Sequence, residues 1–530
     1  MLESARLFFR YAAGLHAFLK RKIDLDQATQ IVSRSQVSRG DAFLQLLNRS
    51  VFDHSGSPYL PLFRQAGIGF EDVQRLVKHE GLDGALKTLL REGVSISLDE
   101  FKGRTRTVRP GLPKPACSSD FDNPFLVKHF EAETGGSKGV SQRLSLDLDL
   151  LVFDAACHYL FLKAFGISDS PLGVWRTVPP AVSAIRKPLL QAKIGRTTAR
   201  WFSQNWFQLP SGLKYWFFTY FTILMARLSG ERFPSPEHLP LDHASKVAQW
   251  LAQEKRAGRN ACLDTMVSSA IRVCRAAQDQ GLDISHCFMR VGSEALTPAR
   301  AVVLSDAGVR FGAHYAITEV GPVAMACSDR QCVDEAHLLT GKLALIQDEK
   351  TTDRGERIQD AFYLTGLLPS LPKIMINVEM GDRGVIATRN CDCPLSQAGF
   401  RQTVHTIRSY EKLTSEGMLF TSTDLAAVVE DLLPQRFGGD PSDYQFVESS
   451  RDGLTEVHLI LSPRLGKLND LEVIDAVMSF LGDQSDGYRL MTKFWADGGT
   501  LKVVREEPKA TRASKILPLY VPPPENGGAR

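Results

Sequence analysis

Between residues 122 and 398 the chain alternates strand-like and helix-like runs, and that alternation points to a layered α/β architecture. Residues 267–280 carry apolar side chains at helical spacing. Residues 301–304, 309–311 and 373–378 read as short buried strands. A chain of 530 residues exceeds what one hydrophobic core organises, so at least two domains are expected. The spacing predicts a helical N-terminal part of the large domain over 1–110 and an α/β core over 111–406. A small mobile α+β domain follows over 407–530. In that last part a helix is expected near 424–433, with strands near 444–448, 457–461 and 501–504. A second helix there presents Leu471, Ile474, Val477, Met478 and Leu481 on one face.

Composition narrows the function classes. With 43% hydrophobic and 23% charged residues the chain is neither disordered nor collagen-like. The formal net charge of +3 comes without a concentrated basic block, so no nucleic-acid partner is expected. Cys117, Cys157, Cys262, Cys274 and Cys287 are isolated thiols rather than a disulfide framework. The most apolar run, residues 215–226, falls well short of the ~20 residues needed to cross a bilayer. It reads as a buried core helix, no membrane association is expected, and the cytoplasm is the expected compartment. The surrounding aromatic-rich stretch, 201–225, suits either an acyl pocket or core packing.

Four short segments have the residue types of a nucleotide site. Thr134-Gly135-Gly136-Ser137-Lys138-Gly139 combines a backbone free to turn with hydroxyl and ammonium donors, a combination that suits phosphates but lacks P-loop spacing. Tyr315-Ala316-Ile317-Thr318-Glu319 brings a ring, a hydroxyl and a carboxylate within five residues. Asp382, in Gly381-Asp382-Arg383-Gly384, is expected just beyond a strand over 374–378, where a carboxylate accepts hydrogen bonds from ribose. Lys515 lies near the C-terminus, on the small domain, within reach of a cleft where charge develops. Each segment also has an ordinary reading: a surface turn, a strand end, a β-turn aspartate and a basic tail.

In this order the segments resemble the adenylate-forming (acyl-CoA synthetase) superfamily, and within it the phenylacetate–CoA ligase-like branch, from about Tyr59 to Tyr520. Gly292-Ser293-Glu294-Ala295-Leu296-Thr297 is similar to that branch's segment lying against the adenine. Arg408-Ser409-Tyr410-Glu411-Lys412 occupies the place of its hinge, and Gly417 the place where the rotated small domain meets the thiol acceptor. The sequence departs from the pattern in its phosphate loop and in Ala316. Ser514 stands before the terminal lysine, and Thr365-Gly366-Leu367 lacks the usual aspartate.

The resemblance implies that ATP and Mg2+ are used to convert an acyl or aryl carboxylic acid to acyl-AMP, which then passes to a thiol, coenzyme A being the expected acceptor. It implies that Gly135 to Gly139 with Thr134 hold phosphates, that Thr318 contacts the α-phosphate, and that Glu319 binds Mg2+. Tyr315 then lies against adenine, Asp382 on ribose, Arg408 and Lys412 at the hinge, and Lys515 over the reacting oxygens. The acid would lie near 268–270, 291–292 and 313–314. Cys327, His337, Cys391 and Cys393 could complete a tetrahedral Zn2+ site or remain free thiols, with Cys332 as a spare. Alternatives are transfer to a carrier protein or an amine, and a degenerate nucleotide-binding scaffold. A homodimer is a further expectation.

Overall fold

Local signals place the first helices. Asp24 accepts from the backbone of Gln27, whose own side chain accepts from Asp24 N, and this reciprocal cap starts the helix Leu25–Val37. Further on, Phe70–Arg91 turns sharply at Gly81, where φ is +71°. The computed structural model describes residues 2–103, 112, 115–126, 130–134, 142–178, 183–206, 212–351, 357–410, 412–415, 418–484, 486–509 and 516–520.

A twelve-stranded sheet organises the large domain. One half is parallel, running in the order Glu237–His238, Thr198–Ser203, Leu172–Arg176, Cys262–Met266, Phe288–Gly292, Arg310–Ile317. The other half continues antiparallel through Gly321–Ala326, Ala336–Leu338, Gln402–Ser409, Val378–Thr388, Arg357–Gly366 and Leu343–Thr351. Helices cover both faces of the parallel half, as buried parallel strands require. The almost wholly apolar Leu148–Ala164 and the helix Ser183–Lys193 share one core. Ala244–Arg256, Val267–Asp279 and Pro298–Asp306 share another. The helices Leu2–Lys20 and Leu25–Val37 join the first of these cores, while those from Arg39 to Phe101 pack on the antiparallel half. Ile96 bridges to Val378 and Asp122 to Lys373, so the first hundred residues are integral to this domain.

The small domain is a four-stranded sheet, Leu501–Arg505, Leu454–Leu461, Tyr444–Arg451, Leu519–Tyr520, backed by Asp470–Gly482 and Asp486–Gly498 with a core of its own. It docks on the large domain through Leu490 and Phe494, which join the core around Trp250, and through the turn at Asp452–Gly453. Arg300 holds that turn, donating from Nε to Gly453 O at 3.0 Å and from Nη2 to the Thr455 hydroxyl.

Five local expectations are corrected. Residues 301–304 are helical, because Thr297 caps Pro298–Asp306 and Pro298 sits in its first turn. Residues 374–377 are not a strand. Asn377 takes a φ of +47° and ties its side chain to the carbonyls of Leu86 and Val94, and the strand starts at Val378. Asp382 therefore lies inside a strand rather than beyond one. The helix Gly212–Leu228 is buried on one side only, leaving Leu213, Trp216, Phe217, Leu224 and Leu228 exposed. Leu471 also faces solvent, one turn outside the apolar face assigned to it. No described helix is long and apolar enough to cross a membrane.

Candidate active site

The antiparallel Phe130–Thr134 and Gln142–Leu146 pair in register, Thr134 opposite Gln142. Gly135, Gly136, Ser137, Lys138 and Gly139 lie outside the described residues, as do Gly417 and Lys515. Lys412 opens the short strand Lys412–Ser415, three residues beyond Ser409.

Tyr315, Asp382 and Ser409 converge. Tyr315 donates to Asp382 Oδ2 at 2.8 Å and Ser409 to Oδ1 at 2.6 Å. Ser409 stands opposite Asp382 in register, which accounts for the second bond. The first needs the sheet to curl, because Tyr315 belongs to a strand four places away. Burial, then the adjacent Asp382 carboxylate, push the Tyr315 phenol well above its ordinary range, so it stays a donor. Arg408 lies beside this group, 3.7 Å from Asp334.

Thr318 and Glu319 occupy the turn between Arg310–Ile317 and Gly321–Ala326. Thr318 is exposed and Glu319 is buried. Burial works against the Glu319 charge, but the ion pair with Lys102 outweighs it and holds the carboxyl below its ordinary value. A carboxylate kept ionised away from water and already facing a cation is a donor of the kind a divalent ion takes. Sequence reasoning missed Lys102, and it missed the buried Glu379, which pairs with Lys350 and accepts from Tyr410 at 2.7 Å. The only signal for either is the acid–base complementarity of residues far apart in the chain.

At the carboxyl ends of the parallel strands, Glu294 accepts from Ser268 N at 2.9 Å and from Ser268 Oγ at 2.8 Å, at the start of Val267–Asp279. Gly292 is required here by close approach. A Cβ would fall 2.6 Å from His314 Cε1 and 2.8 Å from the His314 carbonyl oxygen. Ser293 follows with a φ of +68° and accepts from Arg176 Nη1 at 3.1 Å.

Cys327, His337, Cys391 and Cys393 come together, their ligand atoms all within 4.8 Å of one another. His337 Nε2 is 3.3 Å from Cys391 Sγ and 3.1 Å from Cys393 Sγ, and Cys327 Sγ is 3.6 Å from Cys391 Sγ. The hydrogen bond from Cys327, with His337 nearby, pulls the Cys393 thiol down to about 3. Cys332 is not part of the group. Three sulfurs and one imidazole at these separations fit a four-coordinate, closed metal centre.

No family model matches the chain, and no curated protein matches it. Among solved structures it is similar to 2-hydroxyisobutyryl-CoA ligase in complex with 2-HIB-AMP and CoA, at 13% identity and a TM-score of 0.51, over 94% of this chain and 91% of that one. It is also similar to o-succinylbenzoate CoA synthetase from Bacillus subtilis, at 10% identity and a TM-score of 0.40, over 73% and 68%. The chain has the fold of the adenylate-forming acyl-CoA synthetases, a large layered α/β domain followed by a small α+β domain.

Proposed function

We propose that this protein activates a carboxylic acid with ATP, releasing pyrophosphate and forming acyl-AMP, and then transfers the acyl group to coenzyme A, in the manner of the phenylacetate–CoA ligase-like branch. The observation that carries this reading is the meeting of Tyr315 with Asp382 and its register partner Ser409, across a gap of three intervening strands between Tyr315 and Asp382, inside a fold shared along nearly the whole chain with a CoA ligase.

In the first step an acid oxygen attacks the α-phosphorus and pyrophosphate leaves. Both reactants are anionic, so the protein's task is alignment and charge neutralisation. Thr134 and the Gly, Ser and Lys residues Gly135 to Gly139 suit the β- and γ-phosphates. Asp382 accepts from ribose hydroxyls, exchanging its Tyr315 or Ser409 donor for the sugar, while the Tyr315 ring and the Gly292-Ser293-Glu294 backbone flank adenine. Thr318 contacts the α-phosphate from its exposed turn. Glu319 would hold Mg2+ by exchanging its Lys102 partner, and Mg2+ supplies neutralisation of phosphate charge. Lys515 neutralises the oxygens around the reacting phosphorus. In the second step the small domain turns about Arg408–Lys412, Lys515 withdraws, and Gly417 reaches the cleft. The thiol attacks the acyl carbonyl as AMP leaves. Cys327, His337, Cys391 and Cys393 would hold Zn2+ with protein groups alone, and the metal would then serve a structural role.

The test separates the half-reactions. Lys515→Ala is expected to cut carboxylate-dependent ATP–pyrophosphate exchange by several orders of magnitude while sparing thioester formation from supplied acyl-AMP. Equal loss of both refutes the assignment.

A further inference from the structure

Strand register puts Arg176, Asp264, Arg290 and His314 on one face of the parallel sheet. Val174 pairs with Asp264, Asp264 with Arg290, and Gly292 with His314, with alternate residues pointing the same way. Helices Leu148–Ala164 and Ser183–Lys193 cover that face and add His158 and Lys187. All six side chains are buried.

The charges there do not balance. Asp264 is the one acid of the group. Arg176 Nε reaches its Oδ1 at 2.5 Å and Lys187 Nζ its Oδ2 at 2.8 Å, while Arg290 Nε stands off at 3.6 Å. Asp154 cannot make up the difference, because Arg186 and Lys342 already engage it. The histidines add no compensating charge: burial and then Arg290 drive both His158 and His314 well below their ordinary range. Two arginines, and Lys187, whose ammonium burial and then Arg290 push down to about 7, thus face one carboxylate where water is excluded. Arg290 Nη2 and His314 Nδ1 are buried with no partner among the described residues. Buried surplus charge and unpaired donors are costly unless an anion meets them.

The cluster borders the carboxyl ends of the parallel strands. Arg176 ends its strand and touches Ser293, which is exposed. In open parallel sheets, ligands bind outside the carboxyl ends of the strands. Given the acid-activating reading above, on which this rests, we propose that the substrate acid carries a second anionic group, a carboxylate or another oxyanion, received by Arg176, Lys187 and Arg290. One carboxylate goes to the phosphorus; the other sets the orientation of the molecule.

Matched acids test this on the full chain in ATP–pyrophosphate exchange. One set is terephthalate, para-phosphonobenzoate and para-methylbenzoate; a second is glutarate and valerate. The doubly anionic members should give the higher kcat/KM, and the phosphonate arm tells a carboxylate-specific subsite from a general oxyanion one. Preference for the singly charged member in both sets overturns the proposal. Lys187→Gln should lower the dianion-to-monoanion ratio about tenfold or more, as a site built for a polar group loses discrimination without its donor; an unchanged ratio also overturns it. Thermal unfolding without ATP gives a readout independent of catalysis. A rise in Tm with the dianions alone, abolished in Lys187→Gln, supports the subsite even if no acid supports exchange, and that combination would sink only the adenylation reading. No dianion-specific rise and no exchange overturn both.

Discussion

Tyr315 donates to Asp382 Oδ2 across 2.8 Å although three strands separate theirs in the order of the sheet. The antiparallel half must curl to close that gap, and the closure gives one carboxylate two hydroxyl donors. Asp382→Ala removes the acceptor that ribose would use. It should raise the KM for ATP about tenfold to a hundredfold, the range of a lost hydrogen bond to a charged group. Tyr315→Phe keeps the ring and the carboxylate and should cost only a few-fold. Exchange kinetics at saturating acid measure both; equal effects would show that the phenol and not the carboxylate carries the contact.

Glu448, on the small domain, lies among Arg300, Arg408 and Glu294 of the large-domain side. Burial, with Glu294 adding to it and the two arginines opposing, raises its carboxyl from 4.5 to about 7. A raised carboxyl means the docked arrangement prefers the protonated form. Docking is therefore fully supported below about pH 4.5 and loses that support as pH rises through about 7. Interdomain distance, followed by energy transfer between dyes on the two domains, should lengthen over that window. Glu448→Gln should flatten the profile; a dependence that persists in the variant assigns it to another group.

What was legible in the sequence follows range. The helix Val267–Asp279 and the strands of the small domain are set by local periodicity, and they lie where the pattern put them. Local reading failed where a tertiary contact overrode it. Asn377 ends an apolar run because Leu86 and Val94 hold its side chain, and residues 301–304 obey the Thr297 cap rather than their β-branched valines. The Cys/His group was legible from residue chemistry, since its members close up around turns of adjacent strands. The Arg176–Asp264–Arg290 cluster was not, because its members are single residues on three strands with no spacing to link them.

The Cys327, His337, Cys391, Cys393 centre predicts about one Zn2+ per chain by elemental analysis. Because the metal would be bound only by the assembled site, its binding energy is folding energy. A strong chelator, or Cys391→Ser, should release the metal and lower Tm, with zinc restoring only the unsubstituted protein. Stability indifferent to chelation would return the four residues to a cluster of free thiols.

Gly292 and Gly40 make a pair of opposite sign. At Gly292 a methyl group would sit 2.6 Å from the His314 ring and 2.8 Å from its carbonyl oxygen, and neither can retreat from a strand buried on both faces. Gly292→Ala should therefore destabilise by about 1–3 kcal/mol, the usual cost of overpacking a core. At Gly40, in the first turn of Arg39–Leu47, the added carbon would meet only Val77 Cγ1 at 3.5 Å, an ordinary contact. Gly40→Ala should stabilise by about 0.5–1 kcal/mol, because alanine gives up less backbone freedom in a helix. Thermal midpoints of the two variants should move in opposite directions. If Gly292→Ala left the midpoint in place, the close approach of His314 to the strand end would be wrong, and with it the packing that holds Ser293 and Arg176 together.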